Sequence, residues 1–222
     1  MPEQTRQSWD FGRFFDTLSY FDAIPIVSSL QKMFFGSPPP PPPQLQANLV
    51  FDFRQPTEQM RELWGALDDV VMGGVSQSGT QLQPEGLAFT GYVSTANSGG
   101  FASVRTRNFE PPLALGAYSG IELRVKGDGQ RYKFFLRDGA GWDTVAYAYS
   151  FDTANGGWVT VRIPFADMKA VQRARVVQRA PINADRIYSL QIMLSKFEYD
   201  RQLNPHFTAG PFQLLVESVK VY

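Results

Sequence analysis

Trp64-Gly65-Ala66-Leu67-Asp68-Asp69-Val70-Val71-Met72-Gly73-Gly74-Val75-Ser76 sets two adjacent carboxylates before a short apolar run and a double glycine. Asp side chains bond nearby backbone amides and so favour turns over regular ladders. A glycine pair permits backbone angles closed to other residues, or lets another segment come close. The stretch therefore reads as an irregular turn leading into a strand. A second stretch, Asn97-Ser98-Gly99-Gly100-Phe101-Ala102-Ser103-Val104-Arg105, repeats the same order of turn residues, paired glycines and a strand-like run ending on a charge.

Around these two stretches the hydrophobic period is two. Leu49, Phe51 and Phe53 alternate with polar or smaller neighbours, as do Leu87, Phe89, Gly91 and Val93, then Ala102 and Val104, then Ile121, Leu123 and Val125. The intervening Glu122, Arg124 and Lys126 are charged, and each of these runs is expected to have one wet face. Gly127-Asp128-Gly129 reads as a hairpin turn returning through Tyr132, Phe134 and Leu136. Further runs are Val145 to Phe151, Val159 to Phe165 after the turn Asn155-Gly156-Gly157, Leu190 to Leu194, and Phe212 to Val216. Eight or more short strands separated by turn signals predict an all-β sandwich. Phe165 to Ala184, crowded with Lys169, Arg173, Arg175 and Arg179, breaks the alternation and reads as a surface loop or short helix.

Upstream the period is helical. Phe11, Phe14, Phe15, Leu18 and Phe21 form one stripe, Pro25 ends or kinks that helix, and Val27, Leu30 and Phe34 suggest a second, shorter one. Pro38 to Pro43 is a stiff polyproline II rod, read as a spacer rather than as a ligand for another domain. The expected organisation is an amphipathic helical extension over residues 1–36, a proline-rich linker over 37–47, and a β-sandwich over 48–222.

Taken together, the Asp68-Asp69-Val70-Val71-Met72-Gly73-Gly74-Val75-Ser76 and Asn97 to Arg105 segments resemble the signature of the complex I intermediate-associated protein 30 family. The further matches are Gly127-Asp128-Gly129 followed by Tyr132, Trp158 with Ile163-Pro164-Phe165, and Gly210-Pro211-Phe212. The residues that carry the resemblance are Trp64, Asp68, Asp69, Gly73, Gly74, Ser76, Asn97, Gly99, Gly100, Phe101, Arg105, Gly127 and Asp128, within a region from about Asn48 to Tyr222. The resemblance implies a galactose-binding-like jelly-roll β-sandwich. It also implies a non-enzymatic, chaperone-like role in assembling a membrane-bound electron-transfer complex, of the NADH dehydrogenase or photosynthetic kind. The helical appendage with its proline rod and the lack of a transit peptide depart from a mitochondrial member of that family.

Composition narrows the function classes. With 21 basic and 21 acidic residues in 222, no global field recruits nucleic acid or an anionic membrane. The absence of cysteine removes disulfides, thiolate metal sites and cysteine nucleophiles, and fits a reducing compartment. No apolar run approaches the roughly 20 residues of a spanning helix, and the first ten residues, holding Glu3 and Asp10, look like neither a secretory signal nor a transit peptide. A cytoplasmic protein, peripheral on a membrane at most, is the plain reading.

Candidate chemistry is sparse. Asp68 and Asp69 are neighbours in a turn, whereas paired acid and base carboxylates must face each other across a substrate. A cation site using either Asp with backbone carbonyls would need a denser set of carboxylates, so their expected role is to pin the turn. His206 stands alone, and no phosphate-cradling or dinucleotide motif appears, so neither a metal nor a cofactor is expected. The expected partners are protein subunits of a membrane complex, met through Phe11, Phe14, Phe15, Leu18 and Phe21, through Trp142 in its glycine-rich turn, and through Arg173 and Arg175. Membrane contact through the N-terminal helix is a further expectation, the bland alternative being that the helix folds back onto its own sandwich. Carbohydrate binding remains the alternative for this fold, though no secretory signal supports it. RNA binding through the arginine-rich stretch lacks the aromatic residues that would stack on bases.

Overall fold

The structure is a computed structural model that describes residues 9–21, 43, 45, 48–141, 143–179 and 181–222. The second expected helix (Val27, Leu30, Phe34), most of the proline run and Trp142 lie outside the described residues.

Two antiparallel sheets face each other. The strands, in chain order, are β1 (Leu49–Asp52), β2 (Trp64–Ala66), β3 (Gln77–Gln83), β4 (Gly86–Val93), β5 (Phe101–Thr106), β6 (Gly120–Lys126), β7 (Arg131–Arg137), β8 (Ala146–Asp152), β9 (Trp158–Pro164), β10 (Lys169–Gln172), β11 (Arg175–Val176), β12 (Ser189–Ser195) and β13 (Gly210–Val221). Two helices are described, α1 (Phe11–Tyr20) and α2 (Glu58–Leu63). The first sheet runs β3-β4-β13-β6-β9, with β1 also on β13; the second runs β11-β10-β8-β7-β12-β5-β2.

The period-two residues meet between the sheets. Leu87 and Phe89 of β4, Ile121, Leu123 and Val125 of β6, and Leu214 and Val216 of β13 face Val104, Tyr132, Phe134, Leu136, Ile192 and Leu194 of the second sheet in one buried cluster. Phe89 bridges the layers, its ring centre 6.4 Å from that of Tyr132 and 4.8 Å from that of Phe212. Each such side chain removed from water stabilises by about 1.5–3 kcal/mol, and the packing of the pair adds to that. The long strand β13 is the spine. It pairs β4 through Val216 and β1 through Ser218 to Lys220, with a register shift against β6 between Val216 and Ser218 where one partner gives way to the other.

Three expectations need correction. Gly127-Asp128-Gly129 is not a hairpin turn: β6 belongs to the first sheet and β7 to the second, so the segment is a corner between layers. The corner from β8 to β9 lies beside it, Gly156 N–H donating to Gly127 O at 2.8 Å. Local turn chemistry is the same for a hairpin and a corner, and only the pairing partners, set by the core, separate them. Residues 165–184 are not a plain loop or helix, since β10 pairs β8 and β11 pairs β10 as an edge extension of the second sheet. Charged side chains are tolerated on such an edge, which hid its strands. Finally, β5 does not carry a wet face: Ser103 and Arg105, on the side away from the core, are both buried.

The sequence explains α1. Asp10 caps it by accepting from Arg13 N–H at 3.0 Å. The helix rests on its own sandwich, and the residue that anchors it, Arg13, lies off the aromatic stripe. Among the described residues no helix is long and apolar enough to cross a membrane.

Candidate functional site

The two signature stretches meet at one node. After β2 the chain enters a short 3-10 turn, Asp69–Met72, and the turn before β5 lies directly against it. Asp69 is fully buried, and its carboxylate accepts from Ser76 N–H (2.9 Å), Ser76 Oγ (2.7 Å), Gly100 N–H (2.7 Å) and Phe101 N–H (3.2 Å). One carboxylate thus ties together the start of β3 and the start of β5. Ser76 Oγ extends the tie by accepting from Ser94 N–H at 2.9 Å, after β4.

The paired glycines divide their two permitted uses. Gly73 ends the 3-10 turn at φ 88°, the left-handed angle, while Gly74 gives way to the Asp69 side chain, whose carboxyl carbon a Cβ there would overlap. Gly99 does the same from the second stretch. These glycines are there because Asp69 is.

Asp68 points the other way, toward the N-terminal helix. It accepts from Ser78 N–H (2.9 Å), Ser78 Oγ (2.5 Å) and Ser103 N–H (3.1 Å), and forms an ion pair with Arg13 Nη2 at 3.0 Å. Burial raises its pKa to about 6, although the hydrogen bonds and Arg13 pull it down. Around this contact Trp9 Nε1 donates to Val70 O at 2.8 Å, Arg13 Nη1 to Ser76 O at 3.2 Å, and Tyr20 O–H to Glu62 O at 2.5 Å. Gly65 in β2 leaves the space that the Tyr20 ring occupies. The helix is therefore seated on the node itself.

The remaining sequence candidates fall in different places. Phe11 and Phe15 stay 59% and 55% exposed, and Met72 of the 3-10 turn 70%, while Phe14, Leu18 and Phe21 are half-buried. Arg173 is held by Asp143, its Nε 2.9 Å from Oδ2, and Arg175 is exposed on β11. Trp64 is buried against Phe51 and Phe53. Asp128 accepts from Tyr132 O–H and Gln213 N–H, both at 3.0 Å, pinning the inter-sheet corner. Asn97 takes a left-handed angle in the turn before Gly99. His206 pairs with exposed Asp152 at 2.7 Å.

Sequence reasoning missed Arg13, Ser78 and Ser103, the partners of Asp68, because nothing local links a helix cap, a strand start and a distant strand. The serines did sit at strand-like positions two residues after a motif residue, a weak signal. Chemically, both carboxylates are enclosed by hydrogen-bond donors, which leaves them as clamps. Among the described residues no group of three or more His, Asp or Glu is arranged to hold a metal.

Several known proteins share this frame. The chain is 28% identical over 185 residues, 76% of its length and 81% of the relative's, to an uncharacterized protein of Schizosaccharomyces pombe. Its fold is similar to that of a family 11 carbohydrate-binding module from Clostridium thermocellum solved with a β-1,3-1,4-mixed-linked tetrasaccharide, with TM-score 0.53, 17% identity, and coverage of 78% of this chain and 94% of that one. The same module of the Clostridium thermocellum cellulase Lic26A-Cel5E gives TM-score 0.55, 16% identity, and 80% and 95% coverage. At such identities these likenesses establish a jelly-roll, galactose-binding-like sandwich. The sequence profile of complex I intermediate-associated protein 30 matches residues 51–216, which contain both arms of the Asp69 node, and the chain belongs to that family.

Proposed function

We propose that this chain is a non-enzymatic assembly scaffold, one that holds unassembled subunits of a membrane-bound, complex I-like electron-transfer complex. The observation that carries the reading is the closure of the motif: Asp68 and Asp69, the most chemically suggestive residues in the sequence, each accept several hydrogen bonds from the chain's own donors at Arg13, Ser76, Ser78, Gly100, Phe101 and Ser103. A motif of this kind builds a rigid surface, and on that surface sits a helix that leaves Phe11 and Phe15 exposed. Family membership supports this class of client. The test is native electrophoresis of membranes from a host lacking the chain. Subcomplexes of the client should accumulate and disappear when the chain is restored. Unchanged complex levels would contradict the reading.

A second reading, carbohydrate binding, is favoured by the sandwich shared with the family 11 module. Affinity electrophoresis in mixed-linked β-glucan separates the two, since a scaffold migrates unretarded and a sugar binder is slowed.

A further inference from the structure

Strand β3 is a sheet edge without the usual guards. Exposed edges are normally blunted by charge, proline, a bulge or shortness, because a row of free backbone groups invites another strand. The other ends of the two sheets are blunted in this way: β9 carries Arg162 and closes on Pro164, β11 has two residues, one of them Arg175, and β2 has three. By contrast β3 reads Gln77-Ser78-Gly79-Thr80-Gln81-Leu82-Gln83, with no charge and no proline, and all seven residues pair β4 in continuous register.

The hairpin decides which backbone groups of β3 are free. Only Pro84 and Glu85 separate Gln83 from its partner Gly86, so that closing pair exchanges hydrogen bonds and the pattern alternates from there. Gln77, Gly79, Gln81 and Gln83 bond to β4, while Ser78, Thr80 and Leu82 turn their main-chain groups to the open side. Ser78 fixes the phase, its N–H donating to Asp68 at 2.9 Å. Among the described residues nothing bonds the main chain of Thr80 or Leu82 on that side. Each of the two therefore offers one N–H and one C=O. The run is bounded at one end by Ser78, whose N–H is already used, and at the other by Pro84, which has none. Gln81 lies midway, three residues from both.

Such a set is its own complement. A two-fold axis at Gln81 lays β3 antiparallel against a second β3 and opposes Thr80 of each copy to Leu82 of the other, so that every one of these free groups finds a partner. The pairing stops at Ser78 against Pro84, where neither has an N–H to give. Side chains agree with this register. Thr80 and Leu82, opposite Phe89 and Leu87 of β4, turn toward the core, and exposed Gln81 turns outward. At the axis a charged side chain would face its own like in the second copy, and the residue there is neutral. Gly79 would oppose Gln83, and a Cβ at Gly79 meets nothing within 4 Å, which leaves room for the longer side chain.

We propose that β3 is a self-association edge, through which two copies of this chain pair about a two-fold axis at Gln81 and join their first sheets into one. A second copy fits better than an arbitrary strand because the bounds of the free run, Ser78 and Pro84, exchange places under that axis.

The test is sedimentation velocity of the full chain over two decades of concentration, with hydrogen exchange read over residues 77–83. A dimer whose share rises with concentration is expected, together with slower exchange at the Thr80 and Leu82 amides. Gln81→Lys and Gln81→Glu, at an exposed position that bonds β4 through its main chain, should each fold and weaken self-association at least tenfold by opposing like charges at the axis. An equimolar mixture of the two variants should recover a mixed dimer. A chain that stays monomeric, a dimer that either variant leaves undiminished, or a mixture that stays monomeric would overturn the proposal. So would a monomeric chain that loses co-purifying host proteins on Gln81→Lys, which would assign the edge to a strand of a different protein.

Discussion

Asp69 shows how one side chain can organise a fold without performing chemistry. Its four donors belong to residues seven to 32 positions away in sequence. Replacing it by alanine strands two buried backbone N–H groups, each costing about 1–3 kcal/mol, and one part-buried one that water partly satisfies, so Asp69→Ala should lose about 3–5 kcal/mol in urea unfolding. A loss below about 1 kcal/mol would mean that the node is not a clamp. Gly74→Val should also destabilise, by about 1–3 kcal/mol, through overlap with the Asp69 carboxyl rather than through backbone angle. Asp68 makes a pH prediction whose two parts have opposite signs. Its folded pKa of about 6 lies above the ordinary aspartate value of 3.8. Between those values the folded state binds the extra proton, so this group's contribution to sandwich stability falls as pH rises from about 4 to 6. The Arg13 ion pair needs the carboxylate and is complete only above about 6. Arg13 is the charged group facing Asp68, Asp69 the neighbouring carboxylate, and Ser78 and Ser103 the remaining contacts.

At the scale of elements, the consequence is that α1 is held most firmly at neutral pH. Hydrogen exchange over residues 11–20 should quicken several-fold between pH 7 and pH 5, after correction for intrinsic rates, and Arg13→Ala should abolish that pH dependence. Exchange that follows intrinsic rates alone at both values would contradict the latch. The same helix shows what a sequence can and cannot reveal. Its existence was legible in the spacing of Phe11, Phe14, Phe15, Leu18 and Phe21, because periodicity is local. Its seat was not, because Arg13 finds Asp68 across 55 positions and Tyr20 finds the gap at Gly65. Strands followed the same division. Alternation located β4, β6 and β13, whereas the allocation of β6 and β7 to different sheets depended on which apolar faces met. The edge strands β10 and β11 escaped notice because little core burial shapes their sequence.

At the scale of the molecule, the sandwich from residue 48 onward should fold without the extension. Its core draws on β1 and on every strand from β4 to β9, and on β12 and β13, with α1 contributing no fully buried residue. A chain lacking residues 1–46 should unfold cooperatively with a Tm lowered by only a few degrees, the cost of leaving Asp68 without Arg13; loss of a cooperative transition would show the extension to be part of the core. The all-β sandwich was readable from alternation, and the resemblance singled out the residues of the two short stretches, but that Asp69 joins those stretches was not legible, because its bonds to Gly100 and Phe101 cross more than 30 positions. The burial of Arg105 was not legible either, because it looks like an ordinary wet-face residue until Phe21, just past the helix, packs over its guanidinium. The account as a whole makes the node a rigid seat and the outward face of α1 the contact for a client. Its most direct test is quantitative mass spectrometry of proteins co-purifying from the native host with tagged wild-type chain and with Phe11→Asp, Phe15→Asp. The account predicts that subunits of one membrane-bound electron-transfer complex co-purify with the wild type and fall at least tenfold with the double variant, whose Tm stays within about 2 °C because both rings are exposed. Equal recovery with both proteins, or no such subunits with either, would contradict it.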